Sequence, residues 1–334
     1  MNELRNSLTL GTFDGVHIGH RRLISKTLDS VNENGKSIVL TFHYPAMFYL
    51  NAGIRGRKTF KPGERAFSSE NYSGLIYTPE RKAAILKGLG IDDIYFLDFL
   101  ELKNATPCEF VENIVTTYQP STITVGFNFS FGRDKTGNVN LLARLGSRYG
   151  FKTIVVPPVL YSGHRVSSSL IRFFIRNGDI GHANELLKRP FSIEGSVYRD
   201  QGLGRKLGFP TANIKRDGIE NSAEKDLNDK AGMIVPAFGV YLVYTPGVGY
   251  GLMNVGTRPT VKDGSENIHY EVHYLDSKPE LYNEEIVCFV LEYMREERQY
   301  NSFEALSEAI AYDKHLAAKL ISKWEKDGWW EDEL

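Results

Sequence analysis

Cysteine is scarce in this sequence of 334 residues, which contains only Cys108 and Cys288. The two lie far apart, and neither belongs to the paired spacing of a metal-binding motif. This argues against a disulfide framework and against a zinc knuckle. We therefore expect the protein to work in a reducing compartment, the cytoplasm.

The sequence also lacks an excess of charge of either sign, and it lacks long apolar runs. Its 40 Lys and Arg nearly balance 41 Asp and Glu, so it has no basic field of the kind that non-specific nucleic-acid binding requires. No uncharged apolar run approaches the roughly 20 residues that span a bilayer, and the N-terminus "MNELRNSLTL" has no apolar signal region. We expect small-molecule substrates, no nucleic-acid or membrane partner, and a monomer or weak homo-oligomer.

What the sequence does contain is a change of pattern along the chain. Up to about Asn184, apolar runs such as "SLTL", "SIVLTF" and "TITVGF" alternate with helical stretches, the first over His20 to Asn34; this predicts a parallel sheet flanked by helices. After "LLKRPFSIEGSV", strand-like runs between glycine-rich turns predict an antiparallel barrel or sandwich, closed by a helix over Ser302 to Trp324. The length favours two domains, which we place at residues 1–187 and 188–334.

Two helix starts are marked by threonine followed by proline. Thr78 and Pro79 precede "ERKAAILKGLG", and Thr106 and Pro107 are followed by Glu109. A threonine cap and a proline in the first turn are typical of a helix N-terminus, and in the second case the glutamate completes a capping box. We predict that a helix begins at each site.

The segment "LGTFDGVHIGHRRL", residues Leu10 to Leu23, joins the first strand to the first helix. Unpaired backbone N–H groups and the positive end of the helix dipole meet at such a junction and favour a phosphate, and His17 and His20 add imidazole donors. A metal pair would need a third ligand and usually a spacing of four residues. We rank a phosphate site first, a tight turn second and a metal site last.

A second polar segment, "GHRVSSSLIRFFIRNGD", places three consecutive serines between two arginines at the start of a helix. Hydroxyl groups and arginine forks together suit a polyphosphate, although a serine run alone is more often only a helix cap. We interpret it as a second wall of the same site. The residues concerned are Arg165, Ser167, Ser168, Ser169 and Arg172.

"GTFDGVHIGH" and "VSSSLIR" resemble the two signatures of the nucleotidylyltransferase superfamily, and "VGFNFSFGRDKTG" resembles the flavin loop of bacterial FAD synthetases. The resemblance implies an α/β, Rossmann-like domain in which the phosphate of FMN attacks the α-phosphate of ATP. It implies flavin contact by Asn128, for which a turn residue at a strand end is the alternative. It implies ATP binding by Gly11, Phe13, Asp14, His17, Gly19, His20, Arg165, Ser168, Ser169 and Arg172.

The second half contains "GLGRKLGFPTANI", residues Gly202 to Ile214. Its glycines allow backbone to approach phosphates closely, and Thr211 and Asn213 present oxygen atoms to a hard cation. A glycine-rich hairpin without a ligand is the alternative. The segment does not follow the Walker pattern.

Further along, "IHYEVHYLD" alternates in the manner of a strand, so that Glu271 and His273 point to one face and Tyr270 and Val272 to the other. A carboxylate on a strand beside a phosphate site is a candidate general base. A solvated outer face is the alternative.

The segments "FSIEGSVYRDQGLGRKLGFPTANI", "FGVYLV", "MNVGTRPTV", "EVHYLD", "LYNEEI" and "MREERQYNSFEAL" resemble, in order, the riboflavin kinase family. The resemblance implies a six-stranded Greek-key barrel with a C-terminal helix, in which Glu271 activates the 5'-hydroxyl of riboflavin and Arg295 lies near the flavin. It implies Mg²⁺ at Thr211 and Asn213. It implies ATP binding by Gly202, Gly204, Arg205, Gly208 and Pro210.

Both resemblances together imply the bacterial bifunctional riboflavin kinase/FAD synthetase family, which uses ATP and Mg²⁺ to convert riboflavin to FMN and FMN to FAD. One departure concerns "TFHYPAMFYL", which stands where the family usually has "TF-x-PHP" and which includes His43. Two alternatives stay open. One is a riboflavin kinase with weak or lost FAD synthetase activity, and the other is a flavin- or nucleotide-binding regulator without catalysis.

Overall fold

The computed structural model describes residues 5–45, 74–199, 210–216, 232–259, 266–277, 279–298 and 300–327. These residues form two compact units, and the chain passes from the first to the second between Leu170 and Ile171. The domain boundary that we place between residues 187 and 188 stays a prediction.

The first unit is built on a five-stranded sheet in the order β3-β2-β1-β4-β7, and all four pairings in it are parallel. The predicted parallel sheet with flanking helices is therefore confirmed. Its strands are β1 (Asn6–Leu10), β2 (Ser37–Phe42), β3 (Asp93–Leu97), β4 (Pro120–Gly126) and β7 (Lys152–Val156). The helices are α1 (Ile18–Leu28), α2 (Pro79–Gly88), α3 (Phe99–Leu102), α4 (Pro107–Tyr118) and α5 (Val139–Tyr149).

Two short hairpins and one further helix also belong to this part of the chain. The hairpins pair β5 with β6 and β8 with β9. Helix α6 begins at Ser168 and continues past the division between the two units. The strand bounds are Ser130–Phe131 for β5, Gly137–Asn138 for β6, Leu160–Tyr161 for β8 and His164–Arg165 for β9, and α6 covers Ser168–Arg176.

The apolar runs of this sheet are buried on both faces, as expected for parallel strands covered by helices. Leu8 and Ile123 belong to one apolar cluster, together with Val111 and Ile114 of α4. Val39 belongs to a second cluster on the other side. The continuous, rather than alternating, apolar character of "SIVLTF" follows from this double burial.

Both predicted helix starts are confirmed. Thr78 accepts a hydrogen bond of 3.1 Å from the backbone of Arg81. Thr106 and Glu109 form the reciprocal capping box, with Thr106 N donating to Glu109 Oε2 at 2.7 Å. The first helix differs from the prediction: α1 begins at Ile18 and ends at Leu28, because the imidazole of His17 itself caps it.

The second unit is a closed antiparallel barrel of six described strands in the order β10-β11-β14-β13-β12-β15. Of the predicted barrel and sandwich, the barrel is therefore confirmed. Its strands are β10 (Phe191–Tyr198), β11 (Ala212–Lys215), β12 (Gly239–Thr245), β13 (Gly249–Pro259), β14 (Glu266–Tyr274) and β15 (Glu285–Arg295). Helix α7 (Ile180–Leu187) precedes the barrel and α8 (Phe303–Asp327) follows it; no helix in the described ranges is long and apolar enough to cross a membrane.

Cys288 lies fully buried in the barrel wall. Its Sγ is 3.1 Å from Oγ1 of Thr245, which in turn is 3.0 Å from the hydroxyl of Tyr274. Burial raises the pKa of the Cys288 thiol to about 11, so it stays protonated at neutral pH. This cysteine belongs to the packing of the barrel and not to a reactive site.

Candidate functional sites

The strand order of the first unit reverses between β1 and β4, and ligands of open α/β sheets bind beyond the carboxyl ends of the strands at such a point. The segment "GTFDGVHIGH" follows β1, and "FNFSFG" follows β4. The fold therefore brings the two predicted ligand-binding segments to the edge of the sheet where a ligand site is expected.

The loop after β1 has an unusual backbone. Phe13 has φ of 51° and Val16 has φ of 41°, values that cost free energy for any residue with a Cβ and most of all for a β-branched one. Both side chains are fully buried, and this burial holds the loop in place. A Cβ at Gly11 would lie 3.2 Å from the ring of Phe13, which explains the glycine. Strain of this kind is characteristic of ligand-binding loops.

His17 and His20 stack at the start of α1, with ring centroids 3.6 Å apart and an interplanar angle of 14°. Nδ1 of His17 accepts the backbone N–H of His20 at 3.3 Å, so the neutral imidazole of His17 carries its proton on Nε2. A Cβ at Gly19 would lie 3.1 Å from the His17 ring. In the described part of the chain, no group of three His, Cys, Asp or Glu is placed to hold a metal ion. A turn with positive φ and a helix N-terminus occur together here, which is the geometry of an anion site.

The serine segment reaches this loop. Oγ of Ser168 donates to the carbonyl of Asp14 at 2.8 Å, and the carboxylate of Asp14 accepts the backbone N–H of Ile76 at 3.1 Å. Ser167 accepts from the backbone of Leu170 at 3.2 Å and so caps α6. Ser168 therefore connects the two predicted walls directly, while Ser169 is exposed beside it.

The predicted flavin loop forms a tight turn. The backbone N–H of Phe129 donates to the carbonyl of Gly126 at 3.0 Å, and Asn128 between them is exposed. The guanidinium of Arg165 lies 5.7 Å from the ring centroid of Phe127. The turn reading of Asn128 fits this geometry, and its contact with flavin stays a prediction.

A buried lysine that the sequence pattern does not reveal lies beside this site. Lys82 of α2 is 3% exposed, and its ammonium lies among oxygen atoms at the ends of β1 and β2. The ring of His43, directly after β2, stacks on Phe96 at 4.4 Å, and burial lowers the pKa of His43, with the charge of Lys82 adding to the effect. A lysine in a helix normally indicates a solvated face, so no pattern in the sequence points to this burial.

In the barrel, four polar residues stand in a row across neighbouring strands. Tyr198 pairs with Asn213, Asn213 with Glu271, and Glu271 with Asn254. Directly opposed residues share one face of a sheet. The alternation predicted for β14 is confirmed, because Tyr270 is 1% exposed and Val272 is fully buried on the other face.

Glu271 is the centre of this row. Its Oε1 accepts a hydrogen bond of 2.5 Å from Thr211, and its Oε2 lies 3.4 Å from Nε2 of His269. Nδ1 of His269 is 3.4 Å from the hydroxyl of Tyr198. With Tyr198 as donor to Nδ1, Nε2 of His269 carries a proton and points it at Glu271. The carboxylate is thus fixed at both oxygens and 22% exposed, which suits a general base.

Asn213 and Thr211 fit the predicted magnesium site. Asn213 is 6% exposed, and no described group donates a hydrogen bond to its buried Oδ1, so this hard oxygen is left for a cation. Nδ1 of His273 lies 3.1 Å from the carbonyl of Pro210 and fixes the turn before Thr211. The remaining predicted phosphate contacts, Gly202, Gly204, Arg205 and Gly208, lie outside the described residues.

Arg295, at the end of β15, is held by the C-terminal helix. Its guanidinium contacts both oxygens of Asp313, with Nη2 to Oδ2 at 2.7 Å and Nε to Oδ1 at 2.9 Å. The hydrogen bond to Asp313 raises the pKa of Arg295, which therefore stays charged. The pair joins α8 to the barrel, and a contact of Arg295 with flavin stays a prediction.

A parallel-sheet unit with a candidate phosphate site at its switch point, followed by a barrel with a candidate carboxylate base beside a candidate cation site, fits the class of two-domain transferases that act on nucleotides. The sequence profile of the FAD synthetase family matches residues 2–170, and that of the riboflavin kinase family matches residues 187–321. The chain belongs to the bifunctional riboflavin kinase/FMN adenylyltransferase family and is an enzyme with both domains of that family.

Several relatives carry this double name. The chain is 33% identical to the bifunctional riboflavin kinase/FMN adenylyltransferase of Pseudomonas fluorescens, over 94% of this chain and 92% of the relative. It is 30% identical to that of Escherichia coli strain K12, over 94% and 92%, and 29% identical to that of Bacillus subtilis strain 168, over 97% and 95%. A crystal structure titled as a macrolide-efflux protein from Streptococcus pneumoniae matches with a TM-score of 0.75 and 24% identity over 95% of each chain; this likeness concerns the fold alone.

Proposed function

We propose that the barrel phosphorylates riboflavin through Glu271 and that the parallel-sheet unit adenylylates the resulting FMN at the His17 and His20 site. The observation that carries the proposal is the contact between Thr211 and Glu271 at 2.5 Å, beside the buried Oδ1 of Asn213, to which none of the described residues donates a hydrogen bond. A base and two hard oxygen atoms at one place suit phosphoryl transfer, whereas mere binding requires no base.

In the kinase step, the carboxylate of Glu271 accepts the proton of the riboflavin 5'-hydroxyl as that oxygen attacks the γ-phosphorus of ATP. The bond between the γ-phosphorus and the β,γ-bridging oxygen breaks, and ADP leaves. His269 and Thr211 hold the carboxylate in one orientation. Thr211 and Asn213 would hold Mg²⁺, which when bound supplies charge neutralisation for the phosphates.

In the adenylyl-transfer step, a phosphate oxygen of FMN attacks the α-phosphorus of ATP and pyrophosphate leaves. This exchange needs no covalent enzyme intermediate, so positioning and charge stabilisation carry it. The N–H groups at the start of α1 and Nε2–H of His17 point donors at the phosphates. Arg165 and Ser169 add charge and a hydroxyl group from the opposite wall, and Gly11, Phe13 and Asp14 shape the adenosine side.

The test is to give the purified chain riboflavin, ATP and Mg²⁺ and to follow FMN and FAD by chromatography. We expect FMN first and FAD afterwards. FMN that accumulates without FAD would favour the riboflavin kinase with a lost second activity, which the altered "TFHYP" segment suggests. Binding of flavin without either product would favour the regulator.

We also propose a cytoplasmic location and a monomer or weak homo-oligomer, with small molecules as the only partners. Both cysteines are free, and Cys108 is exposed, which agrees with a reducing compartment. Sedimentation of the purified chain over a range of concentrations tests the oligomeric state. A stable higher assembly at low concentration would contradict it.

A further inference from the structure

Lys82 is held by oxygen atoms from three residues. Its Nζ donates to the carbonyl of Phe42 at 2.6 Å, to the carbonyl of Thr12 at 3.2 Å and to Oγ1 of Thr41 at 3.4 Å. The residue is 3% exposed. These acceptors stand at the carboxyl ends of the neighbouring strands β1 and β2, so a single ammonium group joins the two ends.

All these acceptors are neutral. In the described ranges, no carboxylate makes an ion pair with Lys82, and its other near neighbour is the face of Phe96, whose ring centroid is 5.1 Å from Nζ. Burial lowers the pKa of Lys82 to about 8, although the more distant charges of Asp14 and Glu80 oppose the shift. A buried cation without a partner anion costs stability, so folding alone gives no reason for this residue.

Two of these acceptors directly precede the segments that carry the candidate phosphate-binding histidines. The carbonyl of Thr12 directly precedes the strained loop at Phe13, which leads to His17 and His20. The carbonyl of Phe42 directly precedes His43, the histidine of the altered "TFHYP" segment. The ammonium therefore fixes the starting points of both histidine-bearing segments relative to each other.

We propose that Lys82 is a positioning residue for adenylyl transfer: by joining the ends of β1 and β2, it sets the loop of His17 and His20 and the segment of His43 in the geometry that holds the triphosphate. The inference rests on the proposed FAD synthetase activity of this unit. Lys82 does not touch the reacting atoms, and it acts through the backbone that it holds.

The test compares the native chain with Lys82→Met, which keeps the length of the side chain and removes its charge and donors. We expect the kcat of FAD formation from supplied FMN to fall by about tenfold to a hundredfold, because small displacements of positioned groups have effects of this size. FMN formation from riboflavin by the same protein should be unchanged. The matched control is Lys87→Met on the same helix, since Lys87 is exposed and reaches the carbonyl of Asp92 at the amino end of β3.

A pH profile separates positioning from mere folding. In the native chain, FAD formation should decline as the pH rises through about 8, the pKa of Lys82, while Lys82→Met should lack this decline. Other groups that act on the lysine, Asp14, Glu80 and His43, remain in the variant, so the comparison isolates the ammonium.

Three outcomes would overturn the inference. They are a kcat of Lys82→Met within about twofold of the native value, a pH profile parallel to the native one, or loss of the folded state in both Lys82→Met and Lys82→Gln. If the native chain itself makes no FAD from FMN, the proposed FAD synthetase activity is wrong. If the native chain makes FAD and Lys82→Met makes it equally well, only the role of Lys82 is wrong.

Discussion

Oγ1 of Thr211 donates a hydrogen bond of 2.5 Å to Oε1 of Glu271, beside the pairing of Asn213 with Glu271. One short contact thus joins a proposed magnesium ligand to the proposed base. A change in either residue should disturb phosphoryl transfer, but through different atoms. The role of Thr211 and the role of Glu271 can be separated by substitutions that keep one property of the side chain and remove another.

Thr211→Val removes the hydroxyl and keeps the shape of the side chain, whereas Thr211→Ser keeps the hydroxyl. We expect Thr211→Val to reduce FMN formation by about a hundredfold and to weaken its dependence on Mg²⁺, since a bond to a charged group is lost at the site of reaction. Thr211→Ser should retain most of the activity. The measurement is the rate of FMN formation over a series of Mg²⁺ concentrations. Equal rates for the two variants would contradict the role of the hydroxyl.

Glu271→Gln keeps the hydrogen-bonding shape of the side chain and removes its basicity. General base catalysis contributes about 10² to 10⁴ in rate, and we expect FMN formation to fall by that factor. FAD formation from supplied FMN should be unchanged. The control is Glu285→Gln, an exposed carboxylate at the start of β15. If Glu271→Gln stopped both reactions in a folded protein, the division into two sites would be wrong.

The parts of the structure that follow from local chemistry were predictable from the sequence. The capping box at Thr106 and Glu109 needs only neighbouring residues, and the side of β14 that carries Glu271 follows from strand alternation. The placement of Lys82 was not predictable, because its acceptors Thr12 and Phe42 are brought together by the sheet. For the same reason, the contact of His269 with Tyr198 could not be predicted from the sequence, because the barrel brings β10 and β14 together.

His17 has two roles that a pair of substitutions separates. As the cap of α1, its Nδ1 accepts a backbone N–H, and loss of such a cap costs about 1 kcal/mol. Asparagine is a good cap but has no imidazole, so His17→Asn should keep the stability that His17→Ala loses. Both variants should lose FAD formation if Nε2–H contacts the phosphates. Full activity of His17→Asn would assign His17 to capping alone.

The burial of Lys82 predicts how the free energy of unfolding depends on pH, and this prediction is independent of catalysis. Burial lowers its pKa from 10.5 to about 8. Above pH 10.5 the amine is neutral in the folded and the unfolded chain, and it costs nothing. As the pH falls from 10.5 to 8, the unfolded chain binds the proton first, and the free energy of unfolding declines. Below pH 8 the lysine is protonated in both the folded and the unfolded chain. The resulting decrease in the free energy of unfolding is then constant at about 3 kcal/mol.

The difference in unfolding free energy between the native chain and Lys82→Met should therefore change by about 3 kcal/mol between pH 7 and pH 10.5, with the variant relatively more stable at pH 7. Urea unfolding followed by circular dichroism at both pH values measures it, and Lys87→Met should show no such change. A difference that stays constant with pH would mean that the ammonium is not destabilised by burial. Together with a loss of FAD formation, the expected shift would identify Lys82 as a residue that lowers stability and serves adenylyl transfer.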